Sequence, residues 1–156
     1  MIVVDASVVV EIVLRMPAAA VLQSRLFEPG LTLYAPHLLD IEVAQAVRRS
    51  AASGYIDPER GREALADLAD FPLHRYPHAF LLQQVWDLRN NLSAYDAVYV
   101  ALAQTLDALL TRQAIALASS CCEATVFDSR QCSAARMASC AALRQANCRM
   151  KAMLSI

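Results

Sequence analysis

Three acids in this chain stand where one folded sheet could gather them. Asp5 directly follows the β-branched run Ile2, Val3, Val4; Glu42 lies early in a helical stretch; Asp96 falls in the first turn of another. Carboxylates brought together repel one another, and a hard divalent cation held by oxygen ligands, with several waters retained, is the simplest relief. Such an ion can orient a water, lower its pKa and stabilise charge growing on a phosphate, so phosphodiester hydrolysis is the chemistry this trio suits. Each acid also has a plainer reading. Asp5 could cap the helix that begins near Ser7. Ser93 and Asp96 match the S-x-x-D pattern of a capping box, and Glu42 could be a solvated helix residue. Only their combination argues for a site.

The elements that must position these acids alternate. A strand over residues 2–4 delivers Asp5, with Ser7 capping a helix to about Arg15 and a second helix running from Pro17 to about Phe27. A strand follows over Leu31 to Ala35, and then Leu38, Leu39, Val43, Ala46 and Val47 mark an amphipathic helix that carries Glu42 and closes at Gly54. Asp57, Pro58 and Glu59 open another helix to about Asp70. Leu73 to Tyr76, between Pro72 and Pro77, predicts an edge strand. His78 to Arg89 is apolar around most of its circumference, which predicts a helix either deeply buried or set at an interface. A helix from Ser93, a strand from Asp107 to Thr111, a short helix over 114–119 and a last strand over 124–127 complete the pattern. Alternation of this kind predicts an α/β protein with a mostly parallel sheet and helices on both faces, whose crevice lies at the carboxyl ends of the strands.

Bulk properties narrow the classes. A chain of 156 residues suits one domain. Hydrophobic content of 57% and a mean hydropathy of +0.35 predict a generous core or a covered apolar face, hence an oligomer. No run approaches the roughly 20 apolar residues of a membrane span, and no leader pattern opens the chain, so the expected setting is the cytoplasm without a membrane. Residues 1–120 hold 9 Arg against 13 Asp or Glu, a net of −4, whereas residues 121–156 hold five basic residues against two acids, a net of +3. An acidic body can approach an anionic substrate only with a cation between them.

Other features carry less. Arg48, Arg49, Arg89 and Arg112 could meet phosphates or simply be solvated. His37, His74 and His78 are scattered, with no nucleophile motif beside them. Tyr95, Tyr99 and Trp86 are most simply core or dimer-interface residues. With only three glycines and no phosphate-cradling loop, nucleotide binding through such a loop is excluded. The five cysteines, Cys121, Cys122, Cys132, Cys140 and Cys148, form no paired zinc-type spacing, and their odd count disfavours a disulfide framework.

Three blocks in register resemble the signature blocks of the PIN domain, especially its VapC toxins: Met1 to Ser7 around Asp5, Pro36 to Arg49 around Glu42, and Leu92 to Ala103 around Asp96. The resemblance spans about residues 1–127. It implies a PIN-like three-layer α/β/α fold and a Mg²⁺- or Mn²⁺-dependent endoribonuclease that acts as the toxin of a type II toxin-antitoxin system. By the same resemblance the protein would be a homodimer silenced by a cognate VapB-type antitoxin. Asp5, Glu42 and Asp96 would be the catalytic acids, Asp5 and Asp96 the metal ligands, and Ser7, Ser93, Thr111 and Gln113 supporting residues.

One block departs from the pattern. The family typically shows a strand followed by Thr-x-Asp, and this chain reads Thr111, Arg112, Gln113. An amide offers a neutral oxygen that can hold a metal-bound water, yet it adds no charge to attract the ion. Gln113 therefore predicts weaker metal affinity, and it motivates a second reading: a weakened PIN-like module that binds antitoxin or RNA without efficient turnover. Residues 128–156 form an atypical Cys-, Ala- and Arg-rich tail with an eight-residue quasi-repeat. A loosely held helix, a disordered or partner-binding extension, and translation outside the original frame all fit it.

Overall fold

The computed structural model describes residues 1–111. Four short strands, β1 (Ile2–Val4), β2 (Leu33–Pro36), β3 (His74–Tyr76) and β4 (Leu109–Thr111), form one sheet in the order β3-β2-β1-β4, every pair parallel. Val4 stands opposite Thr111, and Val3 opposite Tyr34. Between the strands run α1 (Ala6–Val13), α2 (Ala19–Leu26), α3 (Leu38–Ala52), α4 (Pro58–Ala69), a 3-10 turn over Ala79–Leu81, α5 (Leu82–Asp87) and α6 (Ala94–Leu106). Parallel neighbours require crossovers, which the helices supply. One group of helices, α1 to α4, packs together, and α5 packs on α6, which lies along β1, β2 and β4. The fold is the expected α/β/α arrangement with a mostly parallel sheet.

Hydrophobic period explains the layers. Val3, Val4, Val8 and Val9 are wholly buried where β1 turns into α1. Leu39, Val43 and Val47 recur every fourth residue and form the buried stripe of α3. On α6, Ala97, Val98, Tyr99, Ala101, Leu102 and Ala103 are all buried, and the alanines let the helix approach the sheet closely. Among the described residues, strand β3 pairs only with β2 and so forms an edge, as the flanking prolines predict. Gly30 and Gly54 take positive φ, ending the segment after α2 and the segment after α3. None of the helices among the described residues is long and apolar enough to cross a membrane.

Several local expectations change. Ser7 does not cap α1; Asp5 does, because its backbone is still extended and its carboxylate accepts from the Ser7 amide. The helix also stops at Val13, and Arg15 adopts a positive φ of 55°. The strand expected from Leu31 begins at Leu33. Deep burial of the His78–Arg89 stretch is not found: Leu81 is fully buried, while Phe80, Leu82 and Trp86 lie outward, Trp86 62% exposed. A helix turns only one stripe inward, so residues spread around its circumference cannot all be covered by one chain. Asp107 is not the start of a strand but the left-handed residue that ends α6. Arg112, Gln113, the helix and strand expected over 114–127, the cysteines and the tail lie outside the described residues.

Candidate active site

Asp5 is placed by the strand-to-helix turn at the carboxyl end of β1, in the sheet's interior. Its backbone N–H donates to the carbonyl of Thr111 at 3.0 Å, tying it to the end of β4. The residue is buried, 7% exposed, the one charged side chain in the buried core among the described residues. Ser7 holds Oδ1 twice, through its backbone N–H at 2.9 Å and its hydroxyl at 2.6 Å. Thr111 thus meets Asp5 through its main chain.

Asp96 is held in the same manner one layer away. Ser93 is the N-cap of α6 with extended backbone, its Oγ accepting from the Asp96 amide at 3.2 Å and donating to Asp96 Oδ2 at 2.7 Å. This closes the capping motif legible in the S-x-x-D pattern. Capping and a place in a site are compatible, since a helix N-terminus favours a negative side chain in its first turn.

Glu42 is held differently. It sits in the second turn of α3, and its Oε2 accepts a 2.5 Å hydrogen bond from the hydroxyl of Tyr99 on α6. Tyr99 is buried, and burial, the bond to Glu42 and the charges of Glu42 and Asp5 all raise its pKa well above the usual phenol range. The hydroxyl therefore stays protonated and donates. Its oxygen also feels the Ala6 backbone amide and the Asp5 carboxylate. Tyr99 thereby connects α3 to the corner where β1 enters α1, and Asp96 lies one helical turn before it, on the same side of α6. The reading of Tyr99 as a core residue holds, but its hydroxyl was not legible as a site group; the three-residue spacing from Asp96 was the one available signal.

The fold thus brings Asp5 and Glu42 to a shared neighbour and sets Asp96 beside that neighbour on α6. Among the described residues, no three His, Cys, Asp or Glu side chains assemble into a metal-holding group. A magnesium-type ion asks for less, usually one or two carboxylates with waters completing its shell. The donors here are all hard carboxylate oxygens, which fits that chemistry, and the described residues carry 8 Arg against 13 acids, so the region favours cations. The cationic candidates Arg48, Arg49 and Arg89 are exposed, Arg89 with its guanidinium 4.7 Å from the centre of the Trp86 ring. His78 is half-buried, and His37 and His74 are exposed. Away from the acids, Arg75 clamps α3 to β3, its Nε donating to both Asp40 oxygens at 3.0 and 2.9 Å and its Nη2 to the Leu68 carbonyl at 2.8 Å.

Comparison with known proteins agrees with this architecture. The family profile described as PIN domain matches residues 2–115. Ribonuclease VapC1 of Mycobacterium tuberculosis is 43% identical over 106 residues, covering 67% of this chain and 79% of that protein. The VapC ribonuclease Mb0985 of Mycobacterium bovis is 40% identical over 110 residues, covering 70% and 83%. Among solved structures, the Sarcin-Ricin loop cleaving toxin VapC20 of Mycobacterium tuberculosis superposes with a TM-score of 0.54 at 16% identity, over 69% of this chain and 85% of that one, which speaks for the fold. With a profile match over most of its length and relatives this similar, the chain belongs to the VapC ribonucleases of the PIN-domain family.

Proposed function

We propose that this protein is a divalent-metal-dependent endoribonuclease, the toxin of a type II toxin-antitoxin pair, acting in the cytoplasm on RNA and silenced by a VapB-type antitoxin. The observation that carries the reading is the Tyr99 hydroxyl, which holds Glu42 of α3 beside the Asp5 turn and rides on the helix that presents Asp96. In this reading the three acids, distant in sequence, act together beyond the carboxyl ends of the parallel strands, where such folds bind ligands.

Asp5 and Asp96 hold Mg²⁺ or Mn²⁺, and Glu42 is a further active-site acid. When bound, the ion lowers the pKa of a coordinated water and neutralises charge on the scissile phosphate. Ser7 and Ser93 each commit one oxygen of an aspartate to a hydrogen bond, which fixes the direction in which the carboxylate faces. Asp5 is buried at the end of β1, so its orientation is set by packing as well. The exposed Phe80, Leu82 and Trp86 support a self-association surface, in keeping with a homodimer.

The test is direct. Asp5→Asn and Asp96→Asn should each lower Mn²⁺-dependent RNA cleavage on the order of a hundredfold or more with an unchanged circular dichroism spectrum. Chelation of the wild type should do the same, reversibly. Equal cleavage by wild type and both variants would reject the assignment.

A second reading rests on Gln113, which stands where the family typically has an acid. Under it the protein retains binding with little turnover. In both readings residues 1–127 form the PIN-like domain and 128–156 an atypical tail. Gln113→Asp should then raise Mn²⁺ affinity and cleavage; no change in either counts against it.

A further inference from the structure

We propose that Tyr99 is a positioning residue of the active site, its hydroxyl holding the Glu42 carboxylate in place across the gap between α3 and α6. The inference rests on the nuclease reading above and names a group that the acidic pattern alone does not contain.

Three observations carry it. Asp5 and Asp96 each have a nearby serine hydroxyl on one carboxylate oxygen, at 2.6 and 2.7 Å. Glu42 has no serine or threonine within four residues of it along α3, and its described hydroxyl partner is Tyr99, 57 positions away at 2.5 Å. The three acids therefore share one device, a hydroxyl that occupies a single oxygen, and only the third depends on the fold. Second, Tyr99 is buried with 2% exposure, so the donor has no solvent to compete for it and cannot swing away without repacking α6. Third, the phenol oxygen lies within electrostatic reach of Asp5 and of the Ala6 amide, so a shift of Tyr99 would alter two acids, not one. A ring without the hydroxyl would fill the same space. The bond, not the packing, is then what the residue contributes to Glu42.

The experiment uses the full chain. Wild type, Tyr99→Phe, Glu42→Gln and the double variant are compared for Mn²⁺ affinity by calorimetric titration without RNA, and for cleavage kinetics with RNA. Tyr99→Phe should lower kcat roughly tenfold to hundredfold with KM for RNA little changed, the scale of a lost hydrogen bond to a charged group. It should also weaken Mn²⁺ binding about threefold or more, and neither effect should add to that of Glu42→Gln. Additive effects, an unchanged kcat with unchanged Mn²⁺ affinity, or losses that merely track a fall in folded fraction would overturn the proposal. A second measurement leaves Tyr99 in place: its hydroxyl proton should be protected from exchange in the wild type by NMR and lose that protection in Glu42→Ala. An unprotected hydroxyl in the folded wild type would also overturn it. Wild type that binds Mn²⁺ yet leaves RNA intact would remove the nuclease reading, and the calorimetric and NMR arms would still decide the role of Tyr99.

Discussion

Asp5 and Asp96 are held by residues two and three positions away, whereas Glu42 is held by a residue 57 positions away. The first two carboxylates are oriented by local chemistry: an extended residue at a helix start, a serine within reach, and orphan amides that need an acceptor. These arrangements form as soon as α1 and α6 form. Glu42 acquires its partner only when α3 and α6 have both docked at the sheet. The proposed site therefore has two parts that respond differently to damage. Perturbing the core should disturb Glu42 first, and perturbing a cap should disturb one aspartate alone.

The largest effect should come from the core. Leu102 is fully buried on α6, one turn beyond Tyr99. Leu102→Ala should cost about 2–5 kcal/mol in urea unfolding. In protein still folded, the protection of the Tyr99 hydroxyl should fall while Ser93 continues to cap α6. A cost below about 1 kcal/mol would mean that packing around Leu102 does not set the position of Tyr99.

Next is the cap of α6. Ser93→Ala removes both bonds to Asp96 and should cost about 1 kcal/mol, with Ser93→Thr or Ser93→Asn recovering most of it. Thermal denaturation reads this, and an equal loss in the Thr and Asn variants would show that the cap is not the cause.

The smallest effect should be that of Ser7→Ala. The Ser7 amide still donates to Asp5, so α1 keeps its cap and stability should move by less than about 0.5 kcal/mol. Cleavage should fall about threefold to tenfold, the scale of one hydrogen bond. Destabilisation by more than about 1 kcal/mol would place the hydroxyl in the folding of α1, not in the aiming of Asp5.

Much of the frame was legible along the chain because it depends on short-range rules. The valine run ending at Asp5, the Leu39, Val43, Val47 stripe, the Asp57-Pro58 helix start and the prolines around β3 each specify an element through period or backbone chemistry. Errors arose where two local rules competed. Asp5 and Ser7 are both good caps, and the extended backbone at position 5, set by β1, decided for Asp5. The His78–Arg89 stretch offered apolar residues on every side, and only the docking of Leu81 against the core decided which of them turn inward.

What the sequence by itself determined was the parallel α/β class and the local pairing of Asp5 with Ser7 and of Asp96 with Ser93, because helix starts and strand ends bring together residues only a few positions apart. What the tertiary structure alone decided was the partner of Glu42. A tyrosine in an apolar helix reads as packing until the opposing helix is in place. Its hydroxyl finds a carboxylate there because a buried donor must be satisfied by whatever acceptor the fold sets beside it.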